Sequence, residues 1–319
     1  MNKIVFIFYI FLLKFHLFSQ NNYKKYHETL NKIYSHDSIC NDSIIYFYER
    51  AFEYANPFSE DVYDLAYYYY VDDDIVKSEQ SLEKSILLGF QMKKDYKDND
   101  SLYPEINYGH YSFNNELNDS LDGYYNFELN FIKNRYDSLR NIFLHSVKND
   151  YYFEVLLNNE LYSQLIRLNR DHSFFTRQIL NDEVFKPNAR LMYELLLKDK
   201  LPLRRMSKRF NSYSITMLLN HCIAGMESRR KAEVFMDMLW GKVVLGELTP
   251  IEYASAYDHF VHHFVHSRKS YFGTNLKNGR VRKLLYPNKI NELRKDCWLI
   301  TIEDYTRYYG LRLPKNVKL

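Results

Sequence analysis

The sequence predicts a predominantly α-helical protein, in which a short helical-hairpin module is joined to a larger helical domain that holds one small β-hairpin. Apolar residues recur at helical spacing along most of the chain. The 319 residues include only 9 Gly and 7 Pro but 31 Tyr and 22 Phe, which favours continuous elements with aromatic cores over disordered chain. Asn278-Gly279 is a strong signal for a two-residue hairpin turn.

Residues 1–20 have the layout of a signal peptide, with Lys3 ahead of an apolar run from Ile4 to Leu13 and a polar region after it. A helix that spans a bilayer needs roughly 20 apolar residues, and this run is far shorter. We therefore expect a cleaved leader and an exported protein, periplasmic or extracellular, with no permanent transmembrane span and no nucleic acid as a partner. An uncleaved N-terminal anchor is the alternative.

Residues 21–92 are expected to form a helical module that resembles a tetratricopeptide hairpin. The string Glu49–Phe52 recurs as Glu83–Ile86, and the offset of 34 residues equals the tetratricopeptide period. The first unit matches this pattern poorly, so an array of three or more repeats is not expected. The helices of the second unit each have one packing face, formed by Val62, Leu65, Ala66 and Tyr69 and by Leu82, Ser85 and Ile86.

Residues 93–123 are rich in polar residues and predict an irregular connection, and residues 124–319 predict a helical domain of unknown function. The clearest local signal is Thr249-Pro250-Ile251-Glu252, a capping box that begins a helix from 250 to about 268. Other helices are predicted near 127–143, 153–168, 188–200, 212–224, 227–240, 288–297 and 302–309, and strands at 271–276 and 281–285.

Charge is unevenly divided along the chain. Residues 21–200 carry 20 Lys and Arg against 30 Asp and Glu, whereas residues 201–319 carry 21 against 10. The basic part could meet an anionic envelope glycan or an acidic protein surface. The alternative is that the two parts dock on each other or are ordinary solvated faces.

Three cysteines are present, namely Cys40, Cys222 and Cys297. An odd number allows at most one internal disulfide and leaves one thiol over. The spacing does not select a pair. A chain of this length can bury a sufficient core without any disulfide.

Four histidines fall on one side of the predicted 250–268 helix, namely His259, His262, His263 and His266, while aromatic and aliphatic residues cover the other side. The pair His259 and His263 has the i, i+4 spacing that can bind Zn²⁺. The segment lacks the His-Glu-x-x-His arrangement that would add a general base. The alternative is a histidine face that is exposed or only hydrogen-bonded.

The turn that follows, from Tyr271 to Asn275, centres on Gly273, which permits backbone geometry closed to other residues. Together with this turn, a composite catalytic pocket of His221, Asp258, His262 and Thr274 is conceivable, with histidine as general base and aspartate as its orienting partner. The alternative is a structural turn whose Thr274 and Asn275 satisfy backbone groups.

A third candidate binding group is formed by Asp171, His172 and Arg177. Their spacing is compatible either with a ligand contact or with an ion pair inside one helix.

The C-terminal half resembles a bacterial family of unknown function, whose members have an acidic residue beside Gln, a Gln-His pair, an Asp-Arg and a Tyr-Gly-Thr-Gln string. The resemblance covers about residues 155–312. His172, Asn220, His259 and Asn275 stand where the family has Gln, Gln, Arg and Gln, so any chemistry that needs those groups is altered here. The matching pieces are Asp171-His172, Asn220-His221, Asp258-His259, Phe272-Gly273-Thr274-Asn275 and Asn291-Glu292-Leu293-Arg294. The family itself implies no reaction.

The function expected from these observations is that of an exported protein- or envelope-interaction module, because stacked helical hairpins leave a groove for a partner. The alternative is a metal-assisted or histidine-dependent hydrolase with its site on the 250–268 helix. No Gly-rich phosphate loop, nucleophile elbow or paired-thiol metal motif occurs in the sequence.

Overall fold

The structure is a computed structural model, which describes residues 21–35, 39–88, 182, 185–198, 212–266, 269–277 and 279–317. Its described part is mostly α-helical and contains one two-stranded antiparallel sheet, which confirms the predicted fold class. The predicted connection 93–123, the helices near 127–168 and the candidate residues Asp171, His172 and Arg177 lie outside the described residues.

Residues 21–34 form helix α1. The other α-helices in the described ranges are α2 (Asn41–Tyr54), α3 (Ser59–Val71), α4 (Ile75–Leu87), α5 (Lys186–Leu197), α6 (Ser212–Gly225), α7 (Arg229–Val244), α8 (Pro250–Phe260), α9 (Ile290–Asp296) and α10 (Ile302–Tyr308). The strands are β1 (Leu276–Lys277) and β2 (Arg280–Val281). A π-helical turn spans Val261–Val265 and a 3₁₀ turn spans Pro287–Lys289. None of the described helices is long and apolar enough to cross a membrane.

Helices α3 and α4 form an antiparallel hairpin around the Asp72–Asp74 turn. Asp73 adopts a left-handed backbone with φ of 61°. The Asp74 carboxylate then accepts from the backbone N–H of Lys77 at 3.1 Å and caps α4. The buried Ser78 hydroxyl donates to the carbonyl of Ala66 at 2.7 Å, which joins the two helices.

One large hydrophobic cluster includes residues from α1 to α3 and from α5 to α8, so the N-terminal helices and the C-terminal helices share a core. Tyr26 of α1 is fully buried, and its hydroxyl accepts from the backbone N–H of Phe58 at 3.2 Å and donates to Asp61. A smaller cluster under the β-hairpin consists of Val281, Leu284, Ile290, Ile302 and Tyr305.

The capping box at the start of α8 forms as predicted. Glu252 accepts from the backbone N–H of Thr249 at 2.9 Å, and Thr249 Oγ1 accepts from the backbone N–H of Glu252 at 3.3 Å. The prediction that this helix continues to about residue 268 was wrong, because regular α-helix ends at Phe260. The next five residues form a π-helical turn, closed by the His266 backbone N–H on the carbonyl of Val261 at 2.6 Å.

The β-hairpin is present where predicted, but its strands are much shorter than 271–276 and 281–285. Leu276 pairs with Val281 and Lys277 with Arg280, and Gly279 has the positive φ of 66° that this tight turn needs. The strand is short because the backbone N–H groups of Tyr271, Phe272 and Thr274 bond to a side chain instead of a partner strand.

No disulfide joins any two of the three cysteines: Cys40 is exposed, whereas Cys222 and Cys297 are buried. Burial raises the pKa values of the Cys222 and Cys297 thiols well above the ordinary value of a cysteine thiol. These two residues therefore act as small apolar core residues rather than as nucleophiles.

Candidate functional site

The loop after α8 folds around one fully buried carboxylate, that of Asp258. Its Oδ1 accepts from the backbone N–H groups of Tyr271 and Phe272, the latter at 2.8 Å. Its Oδ2 accepts from both the backbone N–H and the hydroxyl of Thr274 at 2.7 Å, and from the Ser270 hydroxyl. Five donors thus compensate for removing the charge from water.

Gly273 makes this loop geometry accessible. Its φ is +82°, a region that residues with a Cβ rarely adopt. A Cβ added there would stand 2.7 Å from Ile302 Cδ1. The Gly273 backbone N–H donates to the Ser270 hydroxyl at 3.0 Å, and the Asn275 side chain donates to the Asp258 carbonyl at 3.1 Å. The predicted binding residues Gly273 and Asn275 therefore stabilise the loop.

A buried guanidinium holds the same loop from the other side. Arg294 is fully buried, and it donates to the carbonyls of Phe272 and Ile300 at 2.6 Å. Its guanidinium lies over the Tyr305 ring at 4.7 Å. Burial lowers the pKa of Arg294, while Tyr305 and Asp258 act in the opposite direction. One buried anion and one buried cation therefore fix the loop between them.

In this network, Asp258 and Thr274, two members of the composite pocket predicted from the sequence, have a structural role. Asp258 and Thr274 do come together, and they bond to each other. The donors to the Asp258 carboxylate are all loop groups, and no described histidine is among them. The motif pieces around Asp258, Phe272 and Arg294, which are distant in sequence, meet at this loop.

The histidines form a separate cluster where α6 packs against α8. The ring centroids of His259 and His263 are 4.5 Å apart, and those of His259 and His262 are 6.2 Å apart. The His221 ring of α6 stacks on Phe185, with centroids 4.6 Å apart. His221 is close enough to this group for its charge to affect the pKa of His259.

These imidazoles do not all face solvent. His263 and His266 are exposed, but His259 and His262 are half-buried. The difference arises because α8 packs on α6 and because the π-helical turn changes the spacing after Phe260. Within the described part of the chain, Asn220 Oδ1 and His259 Nε2 are buried without a hydrogen-bond partner.

Burial keeps two of the histidines uncharged at neutral pH. Burial, followed by repulsion from His263, lowers the pKa of His221 to about 4. Burial and the neighbouring His263, His221 and His262 lower the pKa of His259 to about 3. Neutral imidazoles are the form that binds metal or accepts a proton.

A zinc site usually has three or four protein ligands. Across the described ranges, no three His, Cys, Asp or Glu side chains are grouped so that they could hold a metal ion. Zinc binding by His259 and His263 therefore stays a prediction. The described residues supply these two ligands and no third ligand beside them.

Acid is expected to destabilise the protein through this cluster. His221 and His259 have folded pKa values of about 4 and about 3, below the unfolded value of about 6.5. The unfolded state therefore binds more protons in this window, so stability is complete above about pH 6.5 and falls as the pH drops toward the folded values. His259→Asn should reduce the loss between about pH 7 and about pH 5 by about 1 kcal/mol, after discounting for solvent screening. Urea unfolding at both pH values measures this loss, and an unchanged loss in the variant would contradict the assignment.

A second candidate site is a cleft where α1 and α3 meet the C-terminal helices. Its volume is about 310 Å³. Three acidic residues of α3 lie on one wall and four tyrosines and a tryptophan line other walls. We call this the acidic-aromatic cleft, and its principal lining residues are Glu60, Asp61, Asp64, Tyr34, Trp298, Tyr305, Tyr308 and Tyr309.

The carboxylates and the phenols of this cleft are close enough to interact. Burial raises the pKa of Tyr309, and Tyr308, Asp64 and Glu60 raise it further. Burial also raises the pKa of Tyr308, and Asp64 contributes. The residues Tyr308 and Tyr309 are 42% and 46% exposed, so both side chains remain accessible from solvent.

Sequence reasoning missed this cleft, because its N-terminal and C-terminal walls are separated by more than 180 residues in the chain. The only local signal is the placement of Glu60, Asp61 and Asp64 within about one turn of one helix. The Asn31 side chain donates to the Trp298 carbonyl at 2.9 Å and ties the two walls together.

Comparison with known proteins adds no further assignment: no protein-family model, no curated protein and no solved structure matches this chain.

Proposed function

We propose that the protein is an exported interaction module whose acidic-aromatic cleft takes a positively charged side chain of a partner protein. The observation that carries this proposal is the meeting of three carboxylates with five aromatic residues in one cleft. Export rests on the signal-peptide layout of residues 1–20.

A cation suits this cleft for two physical reasons. The faces of tyrosine and tryptophan rings attract ammonium and guanidinium groups, most strongly where water is excluded. Carboxylates on α3 supply the opposite charge, and Asp64 is held in place by the Tyr48 hydroxyl at 3.3 Å. The volume of about 310 Å³ lies near the lower end of ligand pockets, and therefore suits one side chain with its flanking backbone.

The positive charge of Arg294, which also lines this cleft, repels a cationic ligand only weakly. Arg294 contributes to the lining, but its charge interacts favourably with that of Asp258. Glu252 also lines the cleft, with its carboxylate engaged in the capping box of α8. The α3 carboxylates therefore dominate the potential of the cleft.

Removing two of the cleft carboxylates should weaken cation binding. Tetra-arginine serves as the probe, with tetra-glutamate as its negative counterpart, and isothermal titration calorimetry measures the affinity. The double variant Glu60→Gln with Asp64→Asn should bind tetra-arginine at least about tenfold more weakly, equivalent to about 1.4 kcal/mol. The loss arises from the two missing charges next to an aromatic surface.

A matched control makes this result specific to the cleft. Asp73→Asn with Glu83→Gln removes the same charge from exposed positions outside the cleft lining. This control should bind tetra-arginine as the wild type does. Equal affinities in both double variants would contradict the proposal, because attraction would then come only from the net charge.

A second candidate function is histidine-dependent hydrolysis at the α6–α8 cluster. The observation that favours it is the buried His259 Nε2, which lacks a hydrogen-bond partner among the described residues, on a helix that packs against the one carrying the unpartnered Asn220 Oδ1. A neutral imidazole with a free acceptor nitrogen can act as a general base. An ester-hydrolysing activity that His259→Asn abolishes, while cleft binding stays intact, would favour this function over the interaction module.

A further inference from the structure

The β-hairpin and the C-terminal segment form a concave surface lined by six basic side chains and no acidic one. Its volume is about 800 Å³. We call it the basic groove. Its lining residues are Lys277, Arg280, Val281, Arg282, Lys283, Arg312 and Lys315.

Backbone pairing places three of these cations side by side. Lys277 of β1 is the register partner of Arg280 of β2. Arg312 in the C-terminal segment forms a parallel bridge with Arg280, because the Val281 backbone N–H donates to the Arg312 carbonyl at 3.1 Å. The Arg312 backbone N–H donates in turn to the Gly279 carbonyl at 3.1 Å. The three positions are therefore set by main-chain bonds.

The alternation of side chains along β2 and the residue after it points Arg280 and Arg282 away from the core. Val281 is 1% exposed and belongs to the small hydrophobic cluster under the hairpin. Its neighbours Arg280 and Arg282 lie on the opposite side, since successive strand residues face opposite ways. Both are half-buried rather than fully extended into water.

In the absence of a bound anion, this grouping of positive charges is unfavourable for the stability of the fold. Like charges directly opposite each other in an antiparallel pair are destabilising. Within the part of the chain that the structure describes, no ion pair joins Lys277, Arg280 or Arg282 to a carboxylate. An external anion would remove the repulsion between these neighbours.

We propose that the basic groove binds a soluble polymer that carries several phosphate groups. Arginine guanidinium groups bond phosphate oxygens in pairs, and three arginines line the groove. Six charges in one concave surface match a multivalent anion better than a single phosphate. A membrane surface suits the groove less well, since the only apolar residue of its lining, Val281, is buried and cannot insert into lipid.

The test uses the full chain and three probes: inorganic polyphosphate, inorganic monophosphate, and vesicles that contain phosphatidylglycerol. Polyphosphate should bind with an affinity that falls steeply with added salt, and monophosphate should bind far more weakly. The double variant Arg280→Gln with Arg282→Gln should lose at least about tenfold in polyphosphate affinity, since two phosphate contacts are removed. Both replaced side chains project from the core and their removal relieves repulsion between like charges, so the variant should have a thermal midpoint equal to or above that of the wild type.

The matched control is Arg229→Gln with Arg230→Gln, which removes the same charge from exposed positions of α7. This control should keep wild-type affinity for polyphosphate. Equal losses in both double variants would overturn the proposal, because the net charge alone would then explain binding. Equal affinities for monophosphate and polyphosphate would overturn the proposal that the ligand is a polymer. Binding to the vesicles without binding to polyphosphate would overturn it as well and would indicate a membrane surface instead.

Discussion

Asp258→Asn is expected to lower the free energy of unfolding by about 3 to 5 kcal/mol, because it removes the charge of a buried, multiply bonded group. The wild-type carboxylate accepts five hydrogen bonds from four residues of the loop. An asparagine has one acceptor oxygen, and its amide group would face backbone donors. It would also remove one of the nearby negative charges that favour the charged form of the buried Arg294. Chemical denaturation measures this loss.

Asp237→Asn is the control for this substitution. Asp237 is exposed on α7, and its change to asparagine should alter stability by less than about 0.5 kcal/mol. A loss of less than about 1 kcal/mol in Asp258→Asn would contradict the role of the carboxylate as the centre of the loop.

Gly246→Ala should cost about 2 to 4 kcal/mol, from a left-handed backbone and an overpacked contact together. Gly246 follows α7 with φ of +70°, and its backbone N–H closes the helix on the carbonyl of Val243 at 2.9 Å. An added Cβ would stand 1.9 Å from Cζ of Tyr23. Tyr23 is a buried residue of α1, so the substitution should loosen the packing of α1 on the C-terminal helices.

Gly241→Ala provides the comparison for this prediction. Gly241 lies inside α7, and a Cβ added there meets nothing within 4 Å. This change should raise stability by up to about 1 kcal/mol, because alanine loses less backbone entropy in a helix. Denaturation midpoints of both variants test the pair. A loss of only about 1 kcal/mol for Gly246→Ala would mean that the contact with Tyr23 does not form.

Local sequence signals predicted much of the fold because they act over only a few residues. The capping box of Thr249 and Glu252 forms as expected. Thr301 likewise caps α10, with its hydroxyl accepting from the backbone N–H of Asp304 at 3.1 Å. The positive φ of Gly279 confirms the position of the hairpin turn. Each of these features depends on neighbours that the sequence itself supplies.

The candidate site could be predicted only in part. The sequence placed His221, Asp258 and His259 on predicted helices as candidate site residues. The helical wheel assumed regular α-geometry to residue 268, whereas the π-helical turn begins at Val261. The burial that makes His259 neutral comes from packing of α8 on α6, and that packing is invisible to a single-helix projection.

The sequence by itself determined the helical class, the starts of α6, α8 and α10, the hairpin turn and the excess of basic residues after residue 200. Only the tertiary structure decided which charges are buried and which surfaces meet. In the sequence, Asp258 is one of 40 Asp and Glu residues, and nothing there marks its carboxylate as buried. In the structure, a loop 12 to 16 residues later in the chain wraps around its carboxylate. The acidic-aromatic cleft likewise exists only because helices at the two ends of the chain pack together. Side-chain chemistry is local, whereas burial depends on contacts between segments far apart in sequence.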